Sequence, residues 1–267
     1  MTISMRLPGK GIFLGRASVP GVAHPLLVTV RDGNVMDITS SAAPTSRDVC
    51  EMDAPSAYVR SAQGRAIGSL SDIAGNSFET GRDPGKPFLL SPVDLQAVKA
   101  SGVTFVASLL ERVIEEQARG APEKADAIRA DIASLIGDDL SKLKPGSPEA
   151  MACKQKLIER GVWSQYLEVG IGPDAEIFSK CQPMASVGFG ADVGLHPIST
   201  WNNPEPEIAV IASSKGAIVG ATLGNDVNLR DVEGRSALLS ARPRTTMRPP
   251  HSGPSSGCSM MNSHSKT

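Results

Sequence analysis

Hydrophobic and polar positions along this chain change period twice, from strand-like to helix-like and back. In the first 90 residues the clearest pattern is LLVTV at 26–30, a turn at 31–34 (RDGN) and VMDI at 35–38, which predicts an antiparallel hairpin. Residues 39–84 are rich in Ser, Ala, Gly and Asp and are expected to form loops with one or two short helices. A strand at 88–93 leads into a second unit. From 102 to 120 the period becomes helical, with Phe105, Leu109 and Val113 and their neighbours Val106, Leu110 and Ile114 on one stripe. A second helix is predicted at 123–136. A third follows Ser147-Pro148, a cap with proline at the first helical position, and stops at Gly161. Short strands are predicted at 166–169 and 176–180. The apolar run 208–212, the turn SSKG at 213–216 and the apolar run 217–223 then predict a second hairpin.

Chemistry concentrates around that second hairpin. Glu205 and Glu207 stand two apart at its head, so a strand period of two points both carboxylates to one face. A hairpin returns the chain to its starting point, which lets Asp226, just past the second strand, approach them. Three converging carboxylates repel one another unless a cation neutralises them, and an all-oxygen set favours Mg²⁺, Mn²⁺ or Ca²⁺ over zinc. A solvated acidic hairpin is the competing reading of the same spacing. Two features favour the metal: the polar string NDVNLRD where a plain hairpin would only turn, and Pro204 and Pro206, which stiffen the backbone beside Glu205.

Composition narrows the classes. The chain has 267 residues and a net charge of -1, without the basic face that would mark a nucleic-acid partner. No run of 18 apolar residues exists and the start lacks a signal-peptide core, so no membrane association is expected. Four cysteines are scattered without a C-x-x-C pair, which fits reduced thiols and a cytoplasmic location.

The strings LLSPVDLQAVKASGVTF, LERVIEEQARG, WSQYLEVGIGPDAEIFSK and WNNPEPE…GATLGNDVNLRDVEGRSALL resemble the sugar-acid dehydratases of the fumarylacetoacetate hydrolase family. The resemblance implies an α+β fold in three parts: a small N-terminal β domain (1–87), an incomplete β-roll of that family's type (88–240) with a helical insertion at about 104–160, and a tail (241–267). It implies Mg²⁺ at Glu205, Glu207 and Asp226, and Lys180 against the carboxylate or keto oxygen of a small 2-keto acid. A homodimer is expected by the same token. Hydrolytic members carry G-x-N-Y-x-x-H-x-x-E where this chain has GVTFVASLLE at 102–111, so Ser108 replaces the histidine while Glu111 is kept. A serine is no general base near neutral pH without a partner. C–C hydrolysis is therefore disfavoured and an elimination favoured: Glu111 takes a C3 proton of a 2-keto-3-deoxy pentonate, the 4-hydroxyl leaves as water, and 2,5-dioxopentanoate results. Ser108 and Lys180 are the expected substrate contacts, Lys180 also holding the charge that develops on the enolate.

After Leu239 the text becomes aperiodic and rich in Pro, Ser, Arg and Met, which reads as a disordered tail. A one-base shift with permitted codons yields KDNNASSAFGPF, similar to what the dehydratases carry after RSALL. The expectation is thus a frameshifted tail and a chain shorter than the family's length, with an inactive truncated remnant as the further alternative to an active enzyme.

Overall fold

The computed structural model describes residues 5–102, 114, 126–127, 130, 143–163, 165–174, 177–202, 204–233 and 261–263. The chain forms two compact units, Met1–Val98 with Cys181–Arg235 and Arg242–Thr267, and Lys99–Lys180 with Ser236–Ala241. The helices predicted at 102–120 and 123–136 lie almost wholly outside the described residues.

Among the described residues, the first unit is built on an eight-stranded sheet. Its strands are β1 (Ile12–Ser18), β2 (Leu26–Arg31), β3 (Asn34–Asp37), β4 (Arg65–Ser69), β5 (Phe88–Leu90), β8 (Pro206–Ala212), β9 (Ile218–Asn225) and β10 (Met261–Ser263). They run in the order β4-β3-β2-β1-β10-β9-β8, and β5 also pairs with β1. Every pairing with a described register in this sheet is antiparallel. The predicted 26–38 hairpin is present, its turn closed by Asp32 and Gly33 at φ of 50° and 77°. Within the stretch read as a tail, β10 lies between β1 and β9.

Alternation along β1 and β2 explains why the sheet is covered on both faces. Phe13, Leu26 and Val28 join one cluster with Val35, Ile73 and Leu89, whereas Leu14 and Leu27 enter another with Ile38, Val49, Val59 and Ile211. Sequence neighbours thus go to opposite cores, as a period of two requires. Three short helices, α1 (Ser46–Cys50), α2 (Pro55–Ser61) and α3 (Leu70–Gly75), cover these faces and, with β4, occupy the stretch expected to be mostly loop. A capping box between Thr45 and Asp48 starts α1, and Ser69 caps α3. These helices are too short to hold themselves. Docking of Val49, Val59 and Ile73 on the sheet keeps them in place, a tertiary effect that composition did not display.

One ion pair ties the layers of this unit together. Arg16 on β1 reaches Asp94 at 3.4 Å, with both side chains nearly inaccessible to solvent. Asp94 also accepts the backbone amides of Ser46, Arg47 and Leu95 at 2.8, 3.2 and 2.7 Å, and Arg16 donates to the carbonyls of Ser91 and Val93. Burial draws the Arg16 guanidinium below its ordinary pKa, and the Asp94 charge opposes this.

The tip of the β8–β9 hairpin is pinned to the end of α1. Glu51 accepts both the amide and the hydroxyl of Ser214, at 3.0 and 2.5 Å, and Lys215 reaches Asp53 at 2.5 Å. The other face of that hairpin is open: Ile208, Val210, Ile218 and Leu223 are largely exposed.

In the second unit, β6 (Val98–Ser101) pairs with β7 (Ile177–Cys181), and two helices pack together, α4 (Pro148–Glu159) and α5 (Gln165–Ile171). Ser147 caps α4 through the Ala150 amide, and Pro148 occupies the first turn as predicted. Gly161 at φ 68° lets the amides of Gly161 and Val162 return to Ile158 and Leu157, the bonding of a Schellman stop. The strand expected at 166–169 is instead part of α5. Leu167 and Ile171, both fully buried, lie four residues apart on one helical face and pack with Ala150 and Leu157. That packing overrides the strand preference of the Tyr and Val in YLEV. No described helix is long and apolar enough to cross a membrane.

Removing a buried partner leaves an uncompensated charge, whereas exposed pairs contribute little. Asp94→Ala is expected to cost about 3–5 kcal/mol in urea unfolding, and Arg65→Ala, breaking the exposed pair with Asp37, less than about 1 kcal/mol. The hairpin tip carries a pH signature. The Ser214 hydroxyl and amide hold Glu51 below its ordinary 4.5, and the Lys215 ammonium holds Asp53 below 3.8. Carboxylates depressed in the folded state stabilise it above the unfolded pKa and lose that contribution as pH falls through the folded one. The stability gap between the native chain and a Glu51→Gln/Asp53→Asn variant should therefore be constant near neutrality, narrow below pH 4.5 and close on further acidification.

Candidate metal centre

The hairpin expected from the apolar runs is formed by β8 and β9, and its register builds the site. Pro206 pairs with Asn225 and Glu207 with Gly224, and the pairing continues to Ala212 and Ile218 with a bulge after Ile211. Gly216 at φ 77° closes the turn, where the Ser213 amide donates to the Ala217 carbonyl at 2.8 Å. Ile211 faces the core of the first unit, anchoring the hairpin on one side.

At the open end the strands deliver three carboxylates. Glu205 stands one residue before β8 rather than on it, Glu207 is on β8, and Asp226 follows β9. One oxygen from each lies within 4.8 Å of the others. Glu205 and Asp226 are half-buried and Glu207 is exposed. The Glu205 backbone is held from both sides: its amide donates to Asn225 Oδ1 at 3.0 Å and its carbonyl accepts the Asp226 amide at 3.0 Å. Its side chain is held too, with Asn228 Nδ2 donating to Oε1 at 2.7 Å. Asn225 and Asn228 were visible in the sequence only as members of the NDVNLRD string; their individual roles depend on contacts across the hairpin.

Asp231, on α6 (Arg230–Glu233), accepts the Ser199 hydroxyl at 2.6 Å and the Thr200 amide at 3.0 Å, fixing the segment that enters the hairpin. Those bonds, the Ser199 hydroxyl first, hold its carboxyl below the ordinary aspartate range. Cys181 has its thiol pushed up, by burial first and the Asp226 charge second.

The donor set fits a hard divalent ion. Two oxygens bound to one Mg²⁺ at about 2.1 Å are at most about 4.2 Å apart, and around Ca²⁺ at about 2.4 Å at most about 4.8 Å. The observed spread of up to 4.8 Å needs only small side-chain adjustment to match either. Oxygen-only ligation also argues against a soft metal.

The remaining candidates are placed differently. Lys180 lies in the second unit, on β7, with its ammonium 4.9 Å from the Phe178 ring centroid. Glu111 and Ser108 lie outside the described residues.

No family model matches the chain. Two curated proteins do, over part of it. The 2-dehydro-3-deoxy-D-arabinonate dehydratase of Saccharolobus solfataricus is 43% identical over 63 residues, 24% of this chain and 21% of that protein. The probable 2-keto-3-deoxyxylonate dehydratase of Haloferax volcanii is 36% identical over 80 residues, 30% of this chain and 27% of that protein. The matched stretches thus span about a quarter of these relatives. Among solved structures, 2-keto-3-deoxy-D-arabinonate dehydratase complexed with magnesium and 2,5-dioxopentanoate superposes with a TM-score of 0.52 at 18% identity, covering 94% of this chain and 65% of that one. The apo form gives 0.54 at 18%, covering 95% and 66%. Over these stretches the chain is similar to 2-keto-3-deoxy pentonate dehydratases, and it shares the fold of the solved 2-keto-3-deoxy-D-arabinonate dehydratase.

Proposed function

We propose that the chain is a divalent-metal-dependent hydro-lyase that converts a 2-keto-3-deoxy pentonate to 2,5-dioxopentanoate and water. The observation that carries this reading is the convergence of Glu205, Glu207 and Asp226 on one point, in a chain whose matched relatives are pentonate dehydratases. Magnesium is the preferred ion, in keeping with the magnesium complex of the solved neighbour. Glu205, Glu207 and Asp226 would hold it, and once bound it would supply Lewis-acid polarisation of a 2-keto acid.

The chain's own groups account for the rest. Glu111 is the proposed base for a C3 proton; the electrons left behind form the C3–C4 double bond as the C4–O bond breaks and the hydroxyl departs as water. The enol of the C5 aldehyde is reached by proton shifts alone, so substrate and product differ by one water. Lys180 is proposed to balance negative charge on the oxygens of the substrate, and Ser108 to contact it. With no histidine in the GVTFVASLLE string, hydrolysis lacks its water-activating base. The thiols of Cys50, Cys153 and Cys181 are unpaired, which supports a cytoplasmic location; assembly as a homodimer follows the family resemblance.

The test is proton NMR of the purified chain with Mg²⁺ and a 2-keto-3-deoxy pentonate. A single dehydrated C5 product supports the reading; two carbon fragments would replace it with C–C hydrolysis, and unchanged substrate would refute it for this chain. Metal dependence is checked separately. EDTA is expected to lower the Tm relative to protein in excess Mg²⁺, because an ion bound only by the folded state stabilises it. Glu207→Gln should abolish that difference, while relieving repulsion enough to raise the Tm of the metal-free protein.

A further inference from the structure

We infer that Asn228 is a positioning residue of this centre, fixing the orientation in which the Glu205 carboxylate is offered to the ion. The inference rests on the metal reading above. Asn228 is fully buried although its side chain is polar, and burying an amide is costly unless its hydrogen bonds are made. Its Nδ2 lies 2.7 Å from Glu205 Oε1. An ionised carboxylate only accepts, so the amide must turn its NH₂ toward Glu205.

Glu205 is gripped at its amide by Asn225, at its carbonyl by Asp226 and at Oε1 by Asn228. A donor on one oxygen restricts rotation of the carboxylate while leaving its other lone pairs available to an ion. Groups that orient a metal ligand from behind typically change metal affinity 10- to 100-fold when removed. Asn228 has the same relation to Glu205, and it sits two residues after Asp226, so one short loop supplies both a ligand and the support for another.

The experiment is calorimetric titration of Mn²⁺ alone into the full chain, metal-free, as the native form, Asn228→Leu, Asn228→Ser, Glu205→Gln and Asn228→Leu/Glu205→Gln, with the Tm of each metal-free protein. Asn228→Leu keeps the volume and deletes the donor; Asn228→Ser, the milder change, decides if the leucine variant fails to fold. Removing the donor should weaken Mn²⁺ binding about 10- to 100-fold in the native background and hardly further once Glu205 is already Gln. Equal loss in both backgrounds would assign Asn228 a general structural role and overturn the proposal, as would unchanged affinity in Asn228→Leu or Asn228→Ser. If the native chain binds no Mn²⁺, the metal reading itself fails; if it binds and only the Asn228 variants are indistinguishable from it, the positioning role alone falls.

Discussion

The register of β8 on β9 is the constraint on which the candidate centre depends. Side chains alternate with a period of two, so a one-residue slip would send Glu207 to the opposite face and pull Ile211 from its core. The structure resists slippage at three places. Ile211 is buried in the first unit, the bulge after it fixes the count of residues to the turn, and Glu205, Asn225 and Asp226 close the open end by hydrogen bonds. Like charges crowded at that end would otherwise push the strands apart, so the acidic cluster exists because neighbouring apolar and amide contacts hold it.

The Arg16–Asp94 pair has the same logic on a larger scale. A buried ion pair is weak evidence for net stability, since desolvation offsets much of the attraction. Here the geometry points to specificity. The Asp94 carboxylate is shared between Arg16 and three backbone amides, two of them at the start of α1. Any alternative docking of α1 or of the segment after β5 would strand these groups in an apolar interior.

Elements with strong local signals were legible in the sequence. The 26–38 hairpin, the capped helix beginning at Pro148 and the β8–β9 hairpin each combine an apolar pattern with specific turn or cap residues. The return of Asp226 to the glutamates followed from hairpin geometry alone. What stayed hidden rests on distant contacts. Arg16 and Asp94 are far apart in sequence, and although Asp94 lies in one of the strings that carry the family resemblance, nothing in that string points to Arg16 as its partner. The short helices between residues 45 and 75 have no stripe long enough to read, and YLEV has strand-forming residues yet packs as a helix because Leu167 and Ile171 face α4. Asn228 appears in a polar string whose meaning emerges only when Glu205 is opposite it.

The seating of the hairpin tip on Glu51 also bears on the time course of folding. Ser214 lies 163 positions downstream of its partner. The hairpin itself is local and of a kind that closes in microseconds, but reaching Glu51 requires a very large loop to be shut, and contacts of such separation slow the approach to the native state. Because burial of Ile211 is one of the contacts that hold the acidic cluster, the centre is completed only when the hairpin reaches its seat. Until then the apolar Ile211 faces solvent, where it can meet other copies of the chain.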